Sequence, residues 1–339
     1  MEGFDYPHPE GLPCLRAAIA AHLRRSRGLD CSADEVLITN GAQQAFGLIV
    51  RVLLPMGVPV AVEDPGYRGF GHMARAAGLD LWPVPVDDQG LVVEALPTGT
   101  VSAVHVTPAH QFPTGALMSA ARRHALLSWA VEEEGWIIED DYDSAYRFDA
   151  PPLPPLKQLD PSGRVLLVGS FSKTVYPGLR LGYVVADAEH LSALAMMKNL
   201  EDAGTFSFHQ AVLAAFLDDG HYDRHLRRSV RRQSLRRRAL IDALRGRFGE
   251  VVSLLGAESG LHVVVQLGLT QADEREVVRL GRDRGLAMYA CSSFAQSERP
   301  VRGLVLSYAR LEAEDAPRIV DLLADVVEEV RRRRGRGRD

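Results

Sequence analysis

Residues 164–181, RVLLVGSFSKTVYPGLRL, set a lysine in surroundings suited to chemistry. The chain holds 39 Lys plus Arg but only three lysines, Lys157, Lys173 and Lys198, so arginine fills nearly every position where positive charge alone is needed. A lysine kept under that bias suits work arginine cannot do, namely losing its proton and attacking a carbonyl. Lys173 follows the apolar run 165–168 and a Gly-Ser turn, which predicts a place at the carboxyl end of a buried parallel strand. Ser170, Ser172 and Arg180 surround it with hydroxyl and guanidinium donors suited to a phosphate, a set that an ordinary solvated loop lysine does not require.

Two further groups could act with it. Residues 136–138 read as a buried strand running into Glu139, Asp140, Asp141, Tyr142 and Asp143. Carboxylates at a strand end suit a divalent cation, or one of them faces a cationic ring nitrogen while the rest hold the turn. Residues 36–38 form a β-type run, residues 39–41 turn, and an apolar helical pattern follows over 45–53. Strand, glycine turn and helix start bring free N–H groups and the positive end of a helix dipole to one point, an anion site. Tyr67, on the loop after residues 58–62, is placed as a lid. His110 and Gln111 are candidate polar contacts, with a histidine bonded only to backbone as the alternative for His110.

These groups need a scaffold, and strand-like and helical stretches alternate along the chain as in an α/β layer structure, with further strands at 79–86, 101–106 and 181–186. Leu15, Ile19 and Leu23 stand four apart as one helical stripe. Residues 191–248 read as mainly helical, and the last hundred residues fit a small α/β domain with strands at 260–267 and 303–308.

SFSKT followed by PGLRLGY resembles the Schiff-base segment of fold-type I pyridoxal-phosphate enzymes of the class I/II aminotransferase family. The form is that of the aminotransferase-like domain of MocR-type proteins, and the likeness runs from Tyr6 to Leu323. It implies a large domain, residues 35–228, with a mostly parallel seven-stranded sheet sandwiched by helices. A smaller α/β domain would be formed from residues 1–34 and 229–339. It implies pyridoxal 5'-phosphate (PLP) held by Lys173 as an internal aldimine, with Asp140 facing the pyridine nitrogen, Tyr142 beside the ring oxygen and Tyr67 stacked on the ring. The phosphate would be bound by the backbone of Gly41, Ala42 and Gln43 and by Ser170, Ser172 and Arg180. Tyr6 would reach it from the neighbouring subunit, the alternative being a tyrosine packed in an N-terminal arm. Residues 201–208 approach the neighbour's site in this family. The implied partners are a small amine or amino acid and a second copy of the chain in a homodimer, and no metal is expected.

Two positions depart from the aminotransferase pattern. Phe112 stands where most such enzymes place the asparagine of Asn-Pro-Thr-Gly, and Val305 stands where an arginine clamps the substrate carboxylate. Arg302 and Arg310 are the nearby candidates for substrate contact. An aminotransferase is the expected activity. An effector domain of a MocR-type regulator is the alternative, as is PLP chemistry of another type: elimination, oxidation or carbon–carbon bond formation. The five residues before Tyr6 leave no room for a winged helix, which favours a stand-alone enzyme. A dinucleotide-binding module is disfavoured, because no G-x-G-x-x-G follows the first strand.

At 339 residues, 46% hydrophobic and 24% charged, the chain suits two intimately joined globular domains. A formal charge of -5 implies no nucleic-acid partner, and the arginine-rich stretches 225–238 and 331–339 read as a helix face and a chain end. Three cysteines without metal-like spacing fit a reducing cytosol, and no signal segment or membrane span is expected.

Overall fold

The computed structural model describes residues 7–148, 153–298 and 300–336, so Tyr6 lies outside the described residues. The chain runs through α1 (Pro13–Arg27), β1 (Val36–Thr39), α2 (Ala42–Val52), β2 (Val60–Asp64), α3 (Arg68–Ala76), β3 (Leu81–Asp87) and β4 (Gly90–Leu91). Next come β5 (Ala103–Val106), α4 (Ala120–Glu132), β6 (Trp136–Asp141), α5 (Leu156–Leu159), β7 (Val165–Ser170), β8 (Gly182–Val185), α6 (Ala188–Asp202) and α7 (Ser207–Asp218). The long α8 (His221–Phe248) leads into β9 (Ser253–Leu255), β10 (His262–Gln266), α9 (Gln271–Asp283), β11 (Met288–Ala290), β12 (Leu304–Ser307) and α10 (Ala316–Arg336).

The large sheet has the order β1-β8-β7-β6-β5-β2-β3-β4. Strands β7, β6, β5, β2 and β3 are parallel, and β8 runs against both of its neighbours. The expected seven strands become eight, because the chain reverses after β3 and returns as the two-residue β4. Gly90 makes that return at φ 92, where a Cβ would lie 3.1 Å from the Met118 Cα.

The unbroken apolar run before Lys173 has a structural cause. Val165 packs into the core under α4, Leu167 packs with α1 and α7, and Leu166 and Val168 face α2 and α6 on the opposite side. A strand covered on both faces has no position left for a polar side chain, and truncating either leucine to alanine costs about 2–5 kcal/mol. Chemistry is therefore confined to the strand's end.

Helix α1 buries Leu15, Ile19 and Leu23 against Val36, Ile38, Leu167 and Val185 of the large sheet. Residues 1–34 were expected in the smaller domain; we propose that α1 goes with the large one, on which its apolar stripe is buried. The boundary expected at 228/229 falls inside α8, which is continuous. The C-terminal half of α8 joins α9, α10 and one face of the antiparallel sheet β11-β12-β10-β9 in a second core. We place the division within α8. Among the described residues no helix is long and apolar enough to cross a membrane.

Candidate cofactor site

The three lysines end in different circumstances. Lys157 Nζ lies 2.8 Å from Asp187 and Lys198 Nζ lies 3.1 Å from Asp202, both ammonium groups being buried. Lys173, in the turn after β7, is exposed, and its amine has no hydrogen bond or ion pair among the described residues. Its backbone is held firmly. The Tyr146 hydroxyl donates to the Lys173 carbonyl at 2.9 Å and lies 3.0 Å from Ser229 Oγ on α8, while His225 Nε2 lies 2.8 Å from the next carbonyl, that of Thr174.

The acidic run resolves by strand alternation. Glu139 accepts the N–H groups of Leu156 and Lys157, and burial pushes its carboxyl up to about 7. Asp141 pairs with Arg27 of α1, and Asp143 Oδ2 lies 3.0 Å from His110 Nδ1. Asp140 points to the other face, where His105 Nε2 is 3.7 Å away. The four carboxylates thus address four different partners instead of converging on one point. Asp140 is fully buried; desolvation raises its pKa and the His105 imidazole pulls it back down. In register, Asp140 lies opposite Val168, so the acid and the lysine rise from the carboxyl ends of adjacent parallel strands.

The anion cradle lies at the start of α2. Gly41 is its N-cap at φ 83, so the N–H groups of Ala42, Gln43 and Gln44 have no carbonyl one turn earlier to bond. The Arg180 guanidinium reaches over this turn and donates to the Asn40 carbonyl at 2.8 Å; a Cβ on Gly41 would sit 2.9 Å from its Nη2. Asp202 fixes the turn from below by accepting 2.8 Å bonds from Asn40 Nδ2 and Gln44 Nε2. Ser170 Oγ accepts the Ser172 N–H at 3.1 Å beside it. Open helix N–H groups, a guanidinium and two hydroxyls fit a phosphate monoester.

Tyr67 Oη accepts a 2.9 Å bond from Gln43 Nε2, which ties the lid to the cradle. Burial raises its pKa, and the nearby Asp140 charge adds to that rise. Its ring meets Phe112 edge-on at 6.1 Å, and Phe112 also contacts Tyr142, His262 and Phe294 at 6.2, 5.3 and 4.9 Å. Phe112 is therefore the centre of an aromatic wall, and its side chain supplies no hydrogen bond. Val305 lies behind that wall, buried with Val264, Cys291 and Phe294.

The remaining candidates divide. His110 is buried, its Nδ1 shared between Asp143 and the Tyr142 hydroxyl, which also donates to the His110 carbonyl at 2.9 Å. Neighbouring His262 donates from Nε2 to the Pro113 carbonyl at 3.0 Å, and burial first, then His110, lowers its pKa to about 3. The Gln111 side chain is engaged within the loops around it. Its amide nitrogen bonds Glu63, Pro65 O and Phe112 O, and its oxygen accepts from Thr114. Arg302 and Arg310 are exposed, and neither guanidinium bonds a residue of this site. His105, beside Asp140, and Tyr146, bonded to the Lys173 carbonyl, join the site without having been singled out in the sequence. The one available signal was a histidine inside the apolar run 103–106.

His105 is sandwiched by Phe70, stacked at 4.3 Å, and Phe46, edge-on at 5.4 Å, so its position relative to Asp140 is fixed by packing. Removing it takes away the influence that lowers the Asp140 pKa. His105→Leu is expected to cut turnover about tenfold and move its acid limb to higher pH. A pH–rate profile with an unmoved limb would refute the link.

An amine at one strand end, a buried acid on the next strand and a phosphate cradle beside them are what pyridoxal 5'-phosphate requires, and the layered sheet with its smaller domain is the fold-type I arrangement. The chain belongs to the aminotransferase class I and II family, which it matches over residues 2–322. The fold is shared by the kynurenine aminotransferase of Pyrococcus horikoshii, solved with PMP, at TM-score 0.87 and 28% identity over 97% of this chain and 83% of that one. It is shared by the multiple substrate aminotransferase of Thermococcus profundus at TM-score 0.88 and 29% identity over 98% and 84%. By sequence the chain is 33% identical over 307 residues to the uncharacterized HTH-type transcriptional regulator YhdI of Bacillus subtilis, covering 91% of this chain and 65% of YhdI. The protein is thus aminotransferase-like and PLP is its family's cofactor.

Proposed function

We propose that the protein is a PLP-dependent aminotransferase acting on a small amine or amino acid, with Lys173 as the cofactor-bearing and proton-moving group. The observation that carries this is the contrast among the lysines: two have buried ammonium groups held in ion pairs, and the third stands unpaired one strand from buried Asp140. When bound, PLP supplies an electron sink for the substrate's α-carbon bond electrons. The chain's own groups do the rest. Asp140 would hold the ring nitrogen's proton, Arg180 and the start of α2 would hold the phosphate, and Tyr67 and Tyr142, the latter held by His110, would hold the ring. Lys173 Nζ, unpaired and exposed, would be the base that takes up and gives back the substrate's proton.

The apolar layer of Phe112, Phe294 and Val305 replaces the usual polar clamp, which favours substrates that present an apolar group at this wall. A panel of amines and amino acids with PLP and a 2-oxo acid acceptor, followed by mass spectrometry, is expected to yield paired oxo and amino products. A second reading rests on the similarity to an HTH-type regulator, of whose length the chain covers 65%. If ligands shift the cofactor absorbance while no product forms, the domain is an effector sensor.

The working unit in this proposal is a homodimer in a reducing cytosol. Leu200 of α6 and Phe206, Phe208 and Val212 at α7 are exposed by 79%, 62%, 65% and 52%, a surface a second copy would cover. Phe206→Asp combined with Phe208→Asp is expected to shift the protein to monomer in light scattering at micromolar concentration. A double variant that stays dimeric would place the interface elsewhere.

A further inference from the structure

A cleft of about 330 Å³, which shares Tyr67 with the cofactor site, opens where α3 of the large domain meets α9 and residues 292–297 of the smaller one. Its cationic side chains come from both sides: Arg68 and Arg75 on α3, with His72 between them, and Arg275 on α9. Arg68 Nη1 donates to the Ser293 carbonyl at 3.2 Å and Arg75 Nη2 to Gln296 Oε1 at 2.6 Å. Both partners are neutral, so these bonds join the domains without cancelling either charge. Arg275 makes no hydrogen bond or ion pair among the described residues.

Glu63 is the acid lining this cleft, and its carboxylate is spent inward on Thr107 N, Thr107 Oγ1 and Gln111 Nε2, while burial raises its pKa. Asp64 accepts the Gln296 and Ser297 N–H groups at 2.7 and 2.9 Å and keeps its charge, one carboxylate against three guanidiniums. Three guanidiniums around one concavity outnumber the adjacent carboxylates, Glu63 turned inward and Asp64 on the backbone of residues 296–297, and focus a positive potential there.

We propose that this cleft is a second anion site, apart from the phosphate cradle at α2, taking a small dianion such as a phosphate or a dicarboxylate. Its occupant bridges α3 to α9. Tyr67 immediately precedes α3, and the Phe294 carbonyl accepts the Gly66 N–H at 3.2 Å. Occupancy therefore clamps the ring-covering loop against the smaller domain.

The test titrates inorganic phosphate, and separately succinate, into PLP-loaded protein at fixed ionic strength by calorimetry, so that the cofactor's own phosphate fills the cradle. Saturable binding of at least one probe is expected, weakened at least about tenfold by Arg75→Ala combined with Arg275→Ala. Phosphate alone would assign a tetrahedral preference, succinate alone a carboxylate preference, and both a site that reads charge. Cofactor loading of the double variant, read by absorbance, is expected to be unchanged, so a failure here is separable from a failure of the cofactor assignment. No saturable binding of either probe, or equal affinity in the double variant, overturns the proposal.

Discussion

Lys173→Ala is expected to lose the borohydride-fixed pyridoxyl adduct and to lower turnover by about three to four orders of magnitude. The size follows from losing two roles at once, the covalent hold on the cofactor and the base that moves the substrate proton. Lys173→Arg is expected to fare no better, because a guanidinium stays protonated and can neither attack a carbonyl nor accept a proton. The other lysines cannot substitute, since Lys157 and Lys198 are buried and paired with Asp187 and Asp202. Both variants should still take up PLP without a covalent link, because the cradle of Gly41, Arg180 and the open N–H groups of α2 is untouched. Peptide mass spectrometry after reduction, beside a turnover assay, checks this. An adduct on Lys157 or Lys198, or an arginine variant with more than a tenth of the activity, would sink the assignment.

Asp140→Asn is expected to lower turnover by about two to three orders of magnitude while keeping the shape of the site. The charge is what matters: a neutral amide cannot hold the ring nitrogen protonated, and the electron sink weakens. A stability signature accompanies it. Burial raises the Asp140 pKa in the folded protein, so its contribution to stability is present in full below the ordinary carboxylate pKa and lost as pH rises through the raised one. Above that raised pKa the cofactor-free protein carries a buried charge, with the His105 imidazole beside it and Asp141 and Asp143 nearby. The asparagine variant is spared that cost and should melt higher than the parent without cofactor at pH 8. The cationic ring relieves the same cost, so PLP should stabilise the parent more than the variant in thermal melts. Equal cofactor-induced shifts in the two proteins would show that Asp140 does not face the ring nitrogen.

Much of this site could be read from the chain because its parts are local. The apolar run 165–168 followed by Gly169 and Ser170 specifies a buried strand that ends where Lys173 begins, and Thr39 to Gln43 specifies a glycine turn into a helix start. Backbone geometry over a few residues is set by those residues, so the amine, the cradle and the acidic strand end were determined before any long-range contact. What the acids do was not local. Alternation along β6 states which carboxylates share a face, but sheet order and packing decide that Asp140 meets His105, that Asp141 meets Arg27 of α1, and that Glu139 caps the start of α5.

The same distinction applies to other positions. Gln111 looked available in a polar loop, yet Glu63 and Pro65, brought alongside by the pairing of β2 with β5, consume its amide. Helix α1 carries an apolar stripe that fits any core, and only the folded chain puts Val36, Ile38 and Leu167 under it. Tyr146 reaches Ser229 across 83 residues to brace the turn of Lys173, a bond no spacing rule encodes. The sequence alone determined which groups can do chemistry, because reactivity belongs to residue type and to the turn that presents it. The tertiary structure alone decided which of them are left free to do it, because a side chain is spent or spared by neighbours that only the folded chain supplies.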